Sequence, residues 1–170
     1  MMHSHITELV NKVNSEIEEL CLPPAEGALA KTNYVLAKSL VAGTRGYIEK
    51  VVNQINGCYE QGWYDACAVM IRRLLETLII EAFEYGKIAH KIKNPKTGDF
   101  YYLKDLISLT INEPSWNLGR DAEKALPLLK DIGDKSAHSR RFNAHRTDIE
   151  KLIPKVRIVV QELTYLAGLK

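Results

Sequence analysis

The amino-acid sequence predicts an all-α fold: a single-domain bundle of five or six helices. Three observations support this prediction. Apolar residues recur every three or four positions in several separate segments, which is the period of an amphipathic helix. The 170 residues, 46% of them hydrophobic, are enough for one domain that buries its own core. No repeat or linker divides the chain, so we expect one domain over residues 1–170, in which N-terminal helices within residues 1–42 pack on a core of residues 43–170.

The first elements follow from this periodicity. Residues 4–20 are predicted to form an amphipathic helix, which Pro23 and Pro24 are expected to end. Residues 25–40 have a weaker helical pattern, and a second strong helix is predicted over residues 43–59. The apolar positions of the first helix are Ile6, Leu9, Val10, Val13, Ile17 and Leu20.

The segment over residues 63–85 is the most apolar in the chain. Its apolar side chains cover well over half of the circumference of a helix, and a helix with that pattern belongs in the middle of a bundle. We therefore predict that it is the central helix of the fold. A narrow polar stripe remains on it, formed by Arg72, Arg73, Glu76 and Thr77.

The next part of the chain is predicted to contain a basic loop and two further helical segments. Residues 86–102 lose the helical period and carry several lysines, which indicates a basic, hairpin-like excursion. The apolar residues from Leu103 to Ile111 suggest a short helix, which Glu113 and Pro114 are expected to end, and the helical pattern resumes near Leu118. Pro127 is expected to kink that helix or to begin a new one.

The final helix has the clearest start signal in the sequence. Thr147 and Glu150 have the spacing of a capping box, in which each side chain satisfies a free backbone N–H of the first turn. A regular apolar stripe then continues to Leu166. Pro154 leaves two alternatives, because it either bends the first turns or places the start of the helix later.

Charge, cysteine content and hydropathy limit the classes of protein to which the chain can belong. Lys and Arg number 23 and Asp and Glu 21, a net charge of +2, so any nucleic-acid site must be local. The three cysteines are far apart, which favours reduced thiols over disulfides or a zinc site. No secretory segment, no run of about 20 apolar residues and no cofactor motif is present. We therefore expect a cytoplasmic protein with no membrane contact, no metal and no cofactor.

The turn before the final helix contains the strongest candidate binding residues. Between Lys135 and Arg146 there are four cations and no acid, the other two cations being Arg140 and Arg141. Such a cluster attracts anions, of which RNA and nucleotide phosphates are examples. The alternative is a solvated turn whose arginines balance neighbouring carboxylates.

Arg72 and Arg73 form the second candidate group. Arginines on so apolar a helix are partly desolvated, and a desolvated charge needs a partner. Arg72 and Glu76 are four residues apart, so an ion pair within the helix is one solution. A bound phosphate, which a guanidinium holds with two parallel hydrogen bonds, is the alternative.

Two stretches of the sequence resemble the signatures of a known superfamily. The first is GCYEQGWYDA from Gly57 to Ala66, followed by IRRLLE from Ile71 to Glu76. The second is DIGDKSAH from Asp131 to His138. Together they resemble a prokaryotic domain-of-unknown-function family of the HEPN superfamily (higher eukaryotes and prokaryotes nucleotide-binding), over about residues 51–166 and in the family's order.

The resemblance implies an all-α bundle that is often a homodimer formed through the helices carrying these signatures. Many members of the superfamily are metal-independent ribonucleases or parts of toxin–antitoxin, defence and RNA-processing systems. In active members a histidine accepts the ribose 2′-hydroxyl proton and an arginine stabilises the charge of the attacked phosphate. By this resemblance His138 is the base and Asp134 the polar residue, while Gly133 stands at the position of the arginine.

Two functions therefore stay open. The first is an RNA- or nucleotide-binding module of a prokaryotic defence or toxin–antitoxin system, and a ribonuclease if Arg72 or Arg73 supplies the missing charge. In that function the nucleic acid is expected to contact Lys135, Arg140, Arg141 and Arg146. The alternative is a catalytically inactive dimerisation or adaptor domain, in which His138 stabilises the end of its helix.

Overall fold

A computed structural model describes the backbone of residues 2–21 and 26–170 and the side chains of residues 5–17 and 26–170. In these residues the chain forms seven α-helices, two single-turn 3-10 helices (Lys38–Leu40 and Ala89–Ile92) and no β-strand. The predicted all-α bundle is confirmed, with more helices than the five or six expected. The α-helices are α1 (Met2–Cys21), α2 (Gly46–Glu60), α3 (Tyr64–Tyr85), α4 (Leu103–Ile111), α5 (Arg120–His138), α6 (Arg146–Glu150) and α7 (Ile153–Leu166).

The most apolar segment of the sequence is the central helix of the bundle. α3 packs against α2, α4, α5 and α7. Removing a leucine or isoleucine side chain from water stabilises the fold by roughly 1.5–3 kcal/mol, so α3 is the element that holds the others together. Its buried residues, all without solvent exposure, are Cys67, Ala68, Ile71, Leu74, Leu75, Leu78, Ile79, Ala82 and Phe83.

The described part of the segment before α2 is irregular, with turns and bends, so the weak helical pattern over residues 25–40 gave a wrong prediction outside Lys38–Leu40. Side chains of α2 replace the hydrogen bonds that a helix would supply. Asn56 Oδ1 accepts from the backbone N–H groups of Val35 and Leu36, both at 3.1 Å, and Asn53 Oδ1 accepts from that of Ala30 at 2.7 Å. Such tertiary partners are invisible to a local pattern. The predicted helix end at Pro23–Pro24 lies outside the described residues.

Pro127 lies inside α5 and does not begin a new helix. A proline in a helix removes one N–H and crowds the carbonyl four residues earlier. In α5 the proline is on the exposed side, where that carbonyl can bind water, while Leu126 and Leu129 are fully buried. Burial of the opposite face therefore keeps the helix continuous.

The structure has two helices where the sequence predicts one last helix, because the helical conformation is interrupted between Glu150 and Ile153. α6 begins after His145, whose backbone N–H donates to Asp148 Oδ2 at 2.9 Å, so the capping box predicted at Thr147 and Glu150 is wrong. α7 has Pro154 in its first turn, where its missing N–H is not needed. The alternative of a later start for the long helix is confirmed.

The basic excursion over residues 86–102 is a hairpin-like loop, as predicted. An isolated antiparallel bridge joins Lys93 and Phe100, and the Lys93 ammonium lies 4.7 Å from the centre of the Phe100 ring. The excursion is attached to the end of α4 by an ion pair of 2.9 Å between Lys91 and Glu113. Burial alone would raise the pKa of the Glu113 carboxyl, but the larger influence is the hydrogen bond from Lys91, which lowers it.

The apolar side of α1 stands apart from this core. Its large apolar side chains are 46–68% exposed, and they are Ile6, Leu9, Val10, Val13 and Ile17. Among the described residues, no helix is both long enough and apolar enough to cross a membrane.

Candidate anion-binding site

Three of the residues that the sequence predicts as a catalytic group, Arg72, Asp134 and His138, lie on α3 and α5. A glycine determines how closely these two helices approach. A Cβ atom added at Gly133 would lie 2.6 Å from Arg72 Cβ and 3.1 Å from the backbone oxygen of Ala68. Carbon atoms in contact are normally about 3.5–4.0 Å apart. Only glycine fits at this point of the crossing. An arginine at position 133, where the HEPN resemblance expects one, would force the two helices apart.

Arg72 and Asp134 meet at the same crossing. Arg72 Nε donates to Asp134 Oδ1 at 2.7 Å, and Arg72 Nη1 lies 3.6 Å from Glu76 Oε2. Lys130, one turn before Asp134 on α5, donates to Asp134 Oδ2. Burial acts to raise the pKa of Asp134, but the hydrogen bonds from Lys130 and Arg72 outweigh it and lower that pKa. The guanidinium of Arg72 is thus held by two carboxylates, which is the ion-pair alternative considered for this residue.

His138 is in the last turn of α5 and is exposed. It follows Asp134 by four residues, so the two side chains lie on one face of the helix, one turn apart. No hydrogen bond or ion pair joins the imidazole to another of the described side chains. His138 is therefore open to solvent beside the Arg72–Asp134 pair.

Arg73 is directed to a different surface from Arg72, since successive residues of a helix are about 100° apart. It is exposed and lines a groove of about 900 Å³ between α2 and α3, together with Trp63 and Met70. The structure therefore joins Arg72 to Asp134 and places His138 on the same side of α5 as Asp134. Arg73 lies on a different surface.

The turn between α5 and α6 is fixed to the start of α3. The backbone N–H of Ala144 donates to Asp65 Oδ1 at 2.9 Å, and Ala144 is only 7% exposed. Phe142 packs against the core from the same turn. Together with the end of α5 at His138, these two anchors fix the short segment that carries Arg140 and Arg141 on the protein surface.

The four predicted nucleic-acid-binding cations divide into two kinds. Lys135 pairs with Asp131 at 2.7 Å, and Arg146 pairs with Glu150 at 2.8 Å. Arg140 and Arg141 are exposed and have no ion pair with any residue that the structure describes. The positive field of the turn therefore comes from Arg140 and Arg141, with His138 adjoining them in the chain.

A tyrosine stack adjoins Arg146. The rings of Tyr34 and Tyr59 are parallel to within 11° with their centres 4.9 Å apart, and Tyr64 meets Tyr59 edge-on at 5.7 Å. The Tyr59 hydroxyl donates to Glu150 Oε1 at 2.9 Å. Burial, followed by this hydrogen bond, raises the pKa of Tyr59 to about 12. Tyr34 is 47% exposed, so one side of the stack faces solvent next to the basic turn.

Sequence reasoning missed three residues that shape this surface: Asp65, Lys130 and Tyr34. Asp65 had a visible signal, because an acid in the first turn of a helix is a common partner for free N–H groups. Lys130 also had a visible signal in the sequence, since it precedes Asp134 by four residues, the spacing of an ion pair within a helix. Tyr34 had no visible signal in the sequence, because its stacking partner Tyr59 is distant in the chain.

Comparison of the chain with protein families, with curated proteins and with solved structures finds no match. Among the described residues, no group of three or more His, Cys, Asp or Glu side chains is arranged to hold a metal ion.

Proposed function

We propose that the protein binds RNA or a nucleotide phosphate at the basic turn, residues 135–146. The observation that carries this proposal is the state of Arg140 and Arg141, two exposed guanidiniums without a carboxylate partner on a turn anchored at Asp65. Ion-paired surface arginines are already neutralised, whereas these two are available to a phosphate. The anchored turn also reduces the entropy lost on binding.

The surroundings of the turn favour a single-stranded nucleic acid over a lone phosphate. Proteins that bind single strands combine cations for the backbone with aromatic rings on which bases stack. Here the exposed Tyr34 ring stands on Tyr59, and Tyr59 shares Glu150 with Arg146. A base on Tyr34 would place the neighbouring phosphates near the basic turn.

Binding of labelled single-stranded RNA, followed by fluorescence anisotropy at several salt concentrations, tests this proposal. The variant Arg140→Ala/Arg141→Ala should bind at least about tenfold more weakly, and its salt slope should decrease by about 1.4, since each phosphate contact contributes roughly 0.7. The matched control is Lys96→Ala/Lys104→Ala, which removes two exposed cations from another part of the surface and should change affinity less than about twofold. Equal losses in the two variants, or no RNA binding by the wild type, would refute the proposal.

Ribonuclease activity is a second candidate, favoured by the position of His138 one turn from the Arg72–Asp134 pair. In such a reaction the imidazole would take the ribose 2′-hydroxyl proton while Arg72 stabilised the phosphate. Arg72 would first have to exchange a carboxylate for the phosphate, and this supports binding over cleavage. The assay is cleavage of an RNA pool in the presence of EDTA. Cleavage by the wild type that is lost in His138→Ala would support a metal-independent ribonuclease. Cleavage at the same background level by both proteins would refute this activity.

A non-catalytic dimerisation or adaptor domain is the remaining alternative, and the glycine at position 133 in place of an arginine favours it. The resemblance to the HEPN superfamily supports a setting in a cytoplasmic prokaryotic defence or toxin–antitoxin system and a homodimer. If His138 serves only structure, His138→Ala should lower the melting temperature or the dimer affinity without changing RNA binding.

A further inference from the structure

Within the part of the protomer that the structure describes, two apolar surfaces have no partner. The first, the α1 face, consists of Ile6, Leu9, Val10, Val13 and Ile17, each 46–68% exposed. The second is the groove of about 900 Å³ between α2 and α3. We call it the α2–α3 groove, and its main lining side chains are Leu29, Lys31, Cys58, Trp63, Met70 and Arg73.

The α2–α3 groove has the open, apolar lining that receives the apolar face of a helix. Leu29 is 74% exposed and Trp63 62% exposed, so large apolar side chains rim an open groove. Peptide-binding grooves of this kind accept the apolar face of an amphipathic helix through side chains spaced three and four residues apart. The α1 face has that spacing, at positions 6, 9, 10, 13 and 17.

The charges of the two surfaces are opposite. α1 carries four glutamates and one lysine in its sequence, a net charge of −3. The rest of the chain holds 22 of the 23 Lys and Arg and 17 of the 21 Asp and Glu, a net charge of +5. Among the described residues, Lys31 and Arg73 line the groove and no carboxylate does. Pairing of α1 with a second α1 would bring like charges together, whereas α1 in the groove pairs acid with base.

We propose that the α1 face packs into the α2–α3 groove of a second copy of this chain, and that the second copy returns the same contact. The two contacts are related by a two-fold axis, as in an exchanged-helix dimer. Because each protomer both gives its α1 face and receives that of its partner, no surface is left over and the assembly closes at two copies. None of the residues of the basic turn takes part, so dimerisation and RNA binding can be tested independently.

Mass measurement in solution, by light scattering after gel filtration, tests the dimer. The wild-type chain of 19.2 kDa should elute with twice that mass at micromolar concentration. Val10→Asp/Val13→Asp alters the α1 face and should raise the dimer dissociation constant by at least about 100-fold. The control Asn11→Asp/Ser15→Asp adds the same charge on the opposite, polar side of α1 and should weaken the dimer far less.

A mixing experiment separates this arrangement from pairing of two α1 helices. The groove variant Leu29→Asp/Trp63→Asp should be a monomer on its own, and so should the α1-face variant. Mixed in equal amounts, they should form a dimer, because one intact α1 face then meets one intact groove. A groove variant that still dimerises alone, or a mixture that stays monomeric, would overturn the proposal.

A fluorescence measurement needs no substitution in either surface. The chain has two tryptophans, Trp63 in the groove and the partly buried Trp116. In a Trp116→Phe background the emission of Trp63 should shift to longer wavelength on dilution, as the groove becomes solvated. An emission spectrum independent of concentration, with a monomeric mass throughout, would refute the dimer. Binding of such a monomer to lipid vesicles through α1 would assign the α1 face to a membrane instead.

Discussion

Replacement of Gly133 by alanine tests whether α3 and α5 are as close as the structure has them. A helical Gly→Ala change normally stabilises a protein by about 1 kcal/mol, because alanine has the higher helix propensity. At position 133 the new methyl group would lie 2.6 Å from Arg72 Cβ and 3.1 Å from the Ala68 backbone oxygen. Both are fixed atoms of α3, so neither can rotate away.

The overlap is about 1 Å relative to an ordinary carbon contact, and it can be relieved only by separation of the two helices. Overpacking of this kind costs about 1–3 kcal/mol. After the gain in helix propensity is subtracted, we expect a net loss of up to about 2 kcal/mol. For a chain of this length, a loss of about 2 kcal/mol lowers the melting temperature by roughly 4–8 °C.

Gly57→Ala is the matched control for this experiment. Gly57 is also helical, and a Cβ there meets no atom within 4 Å. Because Gly57 lines the α2–α3 groove, both glycine variants are compared in the monomeric Val10→Asp/Val13→Asp background. There Gly57→Ala should stabilise the fold by about 0.5–1 kcal/mol through helix propensity, which raises the melting temperature by a few degrees. Thermal unfolding followed by circular dichroism measures both. A Gly133→Ala protein that is as stable as Gly57→Ala would refute the close crossing and the reason given for the absence of an arginine.

Three further predictions concern titratable groups. Lys130 and Arg72 lower the pKa of Asp134, so the ionised Asp134 carboxylate stabilises the fold above pH 3.8, its usual pKa, and this stabilisation is lost as the pH falls below that value. The melting temperature of Asp134→Asn should therefore be below that of wild type at pH 7, and the two should converge in acid. Burial raises the pKa of Tyr59 to about 12, so the fold should lose stability between about pH 10 and pH 12, and Tyr59→Phe should make that loss shallower in alkaline unfolding curves. Burial also raises the pKa of Cys67 to about 12. Iodoacetamide at pH 8 should therefore label Cys67 at least about 100-fold more slowly in the folded than in the urea-unfolded chain. Peptide mass mapping measures the two labelling rates, and similar rates would contradict the burial of Cys67.

Local sequence pattern predicted the helices that are held by a continuous apolar stripe. α2, α3 and α4 lie within a few residues of their predicted bounds, because in each the period of the apolar residues matches the face that is buried. The pattern misled where the partner of the backbone is distant. The segment before α2 has a weakly helical pattern but is irregular, since Asn53 and Asn56 supply hydrogen bonds to its backbone.

The candidate site was predictable in its residue types but not in its pairing. The cations of the basic turn are visible in the sequence, but nothing local shows that Arg146 is neutralised by Glu150 while Arg140 and Arg141 are free. Likewise, the spacing of Arg72 and Glu76 predicts an ion pair, yet the shorter contact of Arg72 is with Asp134. That contact depends on how two helices cross, which is set by Gly133 and by the packing of the whole core.

The bonds that shape the basic turn join residues far apart in the chain. Ala144 is 79 residues from Asp65, and Glu150 is 91 residues from Tyr59. A chain still emerging from the ribosome, or one truncated before Ala144, therefore has Arg140 and Arg141 without the contacts that position them. The surface that presents Arg140 and Arg141 is a property of the completely folded chain, and its appearance during refolding should coincide with the formation of these long-range contacts.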